Sequence, residues 1–169
     1  MPNLLTMNLK EHIAQHLLDV HNGNNWTEVN LAQTLKNISW QQAITITPFS
    51  PNSIAMLVHH ISYWNRAVAL RGRGTPPVIN KENGMNAPAI TSEPEWEALK
   101  KDNLISAHEL ATVIEGYDEG NLFSPILPGH SSAYKNFQGQ VEHVHYHLGQ
   151  ILMIKNFLLQ SSKKDSRPV

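Results

Sequence analysis

Apolar residues recur at helical spacing through long stretches of this chain, and glycine and proline separate those stretches. Such spacing places one apolar stripe along one side of an α-helix, and segments of this kind have to bury their stripes against one another. Leu5, Leu9, Ile13 and Leu17 form the first stripe, on a helix expected from about Leu4 to Val20. The run His21-Asn22-Gly23-Asn24-Asn25 stops it, with Gly23 available for a left-handed cap. A short helix is expected from about Thr27 to Leu35, with Thr27 as its N-cap. The second long helix is expected to start at Pro51, capped by Ser50, and to run to about Arg71, where Gly72 and Gly74 end it.

The segment from Gly72 to Thr91 is polar, carries Pro76, Pro77, Gly84 and Pro88, and fits no regular element. A loop of that length inside a compact domain is either disordered or covers a site. The third long helix opens at Ser92-Glu93-Pro94-Glu95, whose ends have capping-box spacing, and is expected to reach Glu115 before Gly116. A second loop covers Asn121 to Gly129. The last helix is expected from about Ser132 to Gln160. Gly139 and Gly149 inside it each cost about 1 kcal/mol relative to alanine, so a close packing contact is expected at both. Repeats and a persuasive strand pattern are both absent. The expected fold is therefore all-α: an up-down four-helix bundle with a short extra helix and long connecting loops. Residues 1–160 form the single domain of that reading, and 161–169 read as a flexible polar tail.

Composition narrows the function. The chain has 169 residues, enough for one domain with a real core, and 41% of them are hydrophobic. Lys plus Arg is 13 and Asp plus Glu is 14, a formal charge of -1, so neither nucleic acid nor an anionic membrane is expected as a partner. There is no cysteine, which excludes disulfides, thiolate metal ligands and a cysteine nucleophile. With no apolar leader-like run and no long apolar span, a soluble cytoplasmic protein is expected. Ten histidines are the one compositional fact that points to chemistry, because neutral imidazole is the commonest metal ligand.

The densest histidine cluster is His143-Val144-His145-Tyr146-His147 on the last helix. Residues four apart share a helical face, so His143 and His147 can point at one ion. His145 lies about 200° around the helix from each and cannot join them. Such a pair is half a chelate and needs a ligand from another element. The second long helix offers His59 and His60 beside the apolar positions Ile54, Leu57, Val58, Ile61, Trp64 and Val68. On a helical wheel His60 falls about 90° from the centre of that stripe and His59 about 170°, so His60 can turn inward and His59 should face water. Three histidines, His60, His143 and His147, with the remaining positions open would make a reactive site rather than a closed structural one.

His12 and His16 form a rival i, i+4 pair, either ligands in place of the second long helix or surface residues, and the latter is preferred. His21, His108 and His130 are assigned to loops or exposed faces. Tyr63 and Tyr146 are candidate proton donors, though each is read first as packing. Trp26 and Trp64 are read as core, and Glu142 as solvated. A di-iron carboxylate site is rejected, because Glu142 is the only Glu three residues before a His. There is no nucleophile elbow, P-loop or dinucleotide fingerprint.

The segment Gln140-Val141-Glu142-His143-Val144-His145-Tyr146-His147-Leu148-Gly149-Gln150-Ile151 resembles the signature of the DinB-like superfamily, in particular its YfiT-like group of metal-dependent hydrolases. Ser53-Ile54 through His60-Ile61-Ser62-Tyr63-Trp64 resembles that family's second helix. Asn25-Trp26-Thr27 with Leu31 resembles its tryptophan-containing turn, and Ser92-Glu93-Pro94-Glu95-Trp96 its third-helix start. The resemblance implies a four-helix bundle with a metal on one histidine of the second helix and two of the fourth, here His60, His143 and His147, with His59 as the one-residue alternative to His60. It implies a homodimer, a divalent ion (zinc or nickel) and a small-molecule substrate; the three-histidine ligand set itself suits iron as well. Where activity occurs in such proteins it includes hydrolysis and S-transfer from a low-molecular-weight thiol. The other reading is a non-catalytic stress-associated or ligand-binding bundle with a structural or vestigial metal.

Overall fold

Asn8 starts the first helix: its side chain accepts from the Glu11 backbone N–H while the Glu11 carboxylate accepts from the Asn8 N–H, satisfying two orphan donors reciprocally. The computed structural model describes residues 7–165. Its helices are α1 (Leu9–Asn22), α2 (Leu31–Leu35), α3 (Trp40–Ile44), α4 (Ile54–Gly72), α5 (Glu93–Gly116) and α6 (Ala133–Asp165), with a 3-10 turn at Glu119–Asn121. There is no β-strand among the described residues. None of these helices is long and apolar enough to cross a membrane. The expected start at Leu4 and the side chain of Leu5 lie outside the described residues.

The four long helices meet pairwise: α4 packs on α5 and α6, and α1 packs on the same two. Their stripes supply the core, with Ile13 and Leu17 from α1, Leu57 and Ile61 from α4, and Leu110 and Ile114 from α5. On α6, Phe137, Val141, Val144, Leu148 and Ile151 are buried at alternating steps of four and three residues, the spacing of a seam that faces its neighbours. Trp96 is fully buried, and its indole N–H donates to the Ile38 carbonyl at 2.8 Å.

A polar layer crosses this apolar core and touches all four long helices. The Gln140 amide donates to Asn65 Oδ1 at 2.8 Å, and the Asn65 amide donates to Ser106 Oγ at 3.0 Å and to His21 Nε2 at 3.2 Å. His21 Nδ1–H donates to the Leu17 carbonyl at 2.8 Å, which fixes its tautomer. His21 is only 1% exposed. Burial pushes its pKa down to about 4, so it is neutral near pH 7. A fully satisfied network of this kind favours one register of the helices over others.

Several local expectations are corrected. Gly23 ends α1 in an extended conformation (φ -123°), not a left-handed one, and a Cβ there would run into Asp19. The short helix begins at Leu31 with Asn30 as N-cap; Thr27 instead bonds to Asn25 in the preceding turn. Ser53, not Ser50, caps α4 through the Met56 N–H, so Pro51 lies before the helix. Glu95 does not close a capping box with Ser92; it accepts from both the N–H and the hydroxyl of Thr91. Helix α3 was not expected, although Ser39 and Gln42 form a complete capping box. Gly139 and Gly149 have no close packing partner, since a Cβ at either meets nothing within 4 Å. Helix α6 continues past Gln160 to Asp165, so the expected tail from 161 starts as helix, and 166–169 lie outside the described residues.

Candidate metal centre

His60 projects from α4 and His143 and His147 from α6, and all three candidate donor atoms lie within 4.8 Å of one another. His143 Nε2 stands 3.1 Å from His60 Nε2 and 2.9 Å from His147 Nε2. Two nitrogens held at about 2.0–2.1 Å from one ion are about 2.8–3.0 Å apart at a right angle and about 3.3–3.4 Å apart at the tetrahedral angle. Both observed spacings fall within that span. His60 is 3% exposed and His147 4%, while His143 is half-buried.

Hydrogen bonds fix which nitrogens face inward. His60 Nδ1 is 2.8 Å from the Asn83 carbonyl, which can only accept, so Nδ1 carries the proton and Nε2 the lone pair. His147 Nδ1–H donates to Gln150 Oε1 at 2.7 Å, which leaves its Nε2 lone pair pointing the same way. Such outer partners orient a ligand ring and raise its basicity. His143 differs: its buried Nδ1 has no hydrogen-bond partner. In the metal-free protein a proton on His143 Nε2 lies where the lone pairs of His60 and His147 converge. A divalent cation would displace that proton to the unpartnered Nδ1 of His143, so the three Nε2 atoms can serve as donors to one ion.

Electrostatics keep the donors unprotonated. Burial, then the neighbouring His147, pushes the His60 pKa down to about 4. Burial, then His147 and His60, pushes His143 down to about 3. His147 is lowered chiefly by burial. Near pH 7 all three imidazoles are neutral, the form that binds metal.

The loop after α4 closes over this face. Its Asn83 carbonyl holds His60, and its Gly84 carbonyl accepts from His59 Nδ1–H at 2.9 Å. His59 is therefore half-buried beneath the loop rather than facing water, and it is not in the cluster. Tyr63 ties the loop down from below: its hydroxyl donates to the Val78 carbonyl and accepts from the Asn80 N–H. Gly84 has φ +77°, and a Cβ there would stand 2.6 Å from the Tyr63 ring. Gly84→Ala is expected to lift this loop, costing about 1 kcal/mol or more. Hydrogen exchange should then speed up over residues 80–87; unchanged exchange would refute this account of the loop.

Trp64 is half-buried, with its ring 6.4 Å from that of His60 and 6.2 Å from that of His143. Trp26 is 96% exposed and not core, a correction. Tyr146 is also exposed; its ring lies 4.9 Å from that of His147 and its hydroxyl accepts from the Gln150 amide. Glu142 is exposed, as expected. The rival pair is not at this site: His12 is exposed, and His16 meets His145 instead. His21, assigned to a loop or exposed face, is buried in the polar layer.

Gln150 was not expected to take part. Because it both accepts from His147 and donates to Tyr146, Gln150→Ala is expected to weaken metal binding by about tenfold or more. Competition against a chromophoric chelator measures this, and an unchanged dissociation constant would remove Gln150 from the site. Compared with models of known families, with characterised proteins and with solved structures, the chain matches none.

Proposed function

We propose that the chain is a divalent-metal-dependent enzyme of the DinB-like kind. In this reading it is an up-down four-helix bundle that hydrolyses small electrophilic molecules, or transfers a low-molecular-weight thiol to them, as a cytoplasmic homodimer. One observation carries it: three neutral imidazoles from two helices aim their Nε2 atoms at one another, and two of them are oriented by Nδ1–H bonds to oxygen. A divalent ion held by these nitrogens would supply Lewis acidity, lowering the pKa of a bound water or thiol toward neutrality. The thiol would provide the sulfur that this cysteine-free chain lacks.

The chain's own residues then divide the remaining work. Burial keeps the three ligands unprotonated, reinforced at His60 and His143 by the neighbouring histidines. Trp64 walls one side with apolar surface. The Tyr63 hydroxyl proton is committed to Val78, whereas that of Tyr146 is not, because its oxygen only accepts from Gln150. Tyr146 is therefore the better candidate to give a proton to a leaving group.

One observation favours the alternative, a non-catalytic binding bundle: cavities of about 410, 610, 180 and 270 Å³ are lined by residues other than these histidines. Turnover of a panel of electrophiles with a small thiol, or with water alone, separates the two readings. The enzyme reading expects activity in the zinc- or nickel-loaded protein, its loss in His147→Ala, and a slower rate at unchanged metal content in Tyr146→Phe. No turnover across the panel with metal bound would favour the binding bundle.

A further inference from the structure

We infer that His16 and His145 form a second divalent-metal site, suited to Zn2+, which bridges α1 and α6 apart from the three-histidine cluster. The two Nε2 atoms are 3.4 Å apart and the ring centroids 5.5 Å apart, with the ring planes at 56°. The spacing is long for a hydrogen bond between two nitrogens. It matches the edge of about 3.3–3.4 Å that two nitrogens make on a tetrahedral zinc ion at about 2.0–2.1 Å. Neither ring has another hydrogen-bond partner among the described residues, so neither Nε2 is occupied elsewhere. Both residues are half-buried, which leaves them reachable from solvent, so water can complete the coordination.

His145 lies about 200° around α6 from His143 and His147, so the two sites stand on different faces of that helix and cannot share an ion. With two protein ligands instead of three, the second site holds its ion more weakly and fills only at higher free metal. Its ligands come from different helices, so it exists only while α1 and α6 are packed. Binding there therefore stabilises the folded chain.

The test uses untagged protein carrying His60→Ala and His143→Ala, so that the first site is already broken. Equilibrium dialysis against rising Zn2+ is expected to load about one ion per chain. Adding either His16→Ala or His145→Ala removes it, whereas adding His12→Ala leaves it. Zn2+ raises the melting temperature of the starting variant and not of the His16→Ala version. If a further variant fails to fold, nitrogen-15 imidazole spectra of the starting variant decide: Zn2+ shifts Nε2 of His16 and His145. No bound ion at saturating Zn2+, an ion retained after His16→Ala, or shifts confined to other histidines would overturn the site.

Discussion

Alanine in place of His143 removes metal from the three-histidine cluster and leaves the helices folded. His143 is the hinge of the cluster, because its Nε2 is within 3.1 Å of His60 Nε2 and 2.9 Å of His147 Nε2. Without it, two nitrogens on different helices remain, and the facing set of three is gone. The loss of a direct ligand should exceed the roughly 10–100-fold effect of losing an outer partner. The fold should survive, because the ring is half-buried on the flank of α6 while Val141, Val144 and Leu148 make the seam. Its buried Nδ1 also leaves no partner behind when removed. Chelator competition and circular dichroism on the same samples check both halves. Unchanged affinity, or collapse of the helical signal, would count against this assignment.

Acidification destabilises the protein below about pH 6.5, and His21 carries a large share of the loss. Folded, His21 has its pKa pushed down to about 4 from an ordinary 6.5. Above pH 6.5 it is neutral in both states and adds no pH dependence. Between 6.5 and 4 the unfolded chain takes up a proton that the folded chain refuses, so stability falls with pH. The full fall from this residue is about 3 kcal/mol, at about 1.4 kcal/mol per pKa unit. His21→Gln is expected to lower stability near neutral pH, through the disturbed bonds to Leu17 and Asn65, and to flatten the acid limb. Denaturant unfolding at about pH 7.5 and about pH 5 separates the effects. An acid limb as steep in His21→Gln as in the wild type would show that the burden lies elsewhere.

The histidine pair on α6 was legible because i, i+4 spacing is enforced by helix geometry whatever the tertiary context. His60 was legible because the apolar stripe of α4 is clean enough to orient a wheel. The α6 seam was harder to read, since Tyr134, Tyr146, Leu152, Met153 and Phe157 place further apolar side chains around the helix and blur the steps from Phe137 to Ile151. His21 was missed because it sits at a helix end beside Asn22 and Gly23, where exposure is the usual outcome. Its burial depends on Asn65 arriving from another helix, which local sequence does not encode. His59 was placed in water by the wheel, and the wheel was right about the helix. It could not see the loop from which Gly84 returns to cover that face. The Ser39–Gln42 box marks the start of helix α3, but five residues are too few for apolar periodicity to reveal it.

The most direct test of the central claim is anomalous X-ray scattering at the absorption edges of zinc and nickel, from crystals of the untagged protein grown with each ion. The account predicts one dominant peak among the Nε2 atoms of His60, His143 and His147. Crystals that carry bound metal elsewhere and show no peak at those three nitrogens would contradict it.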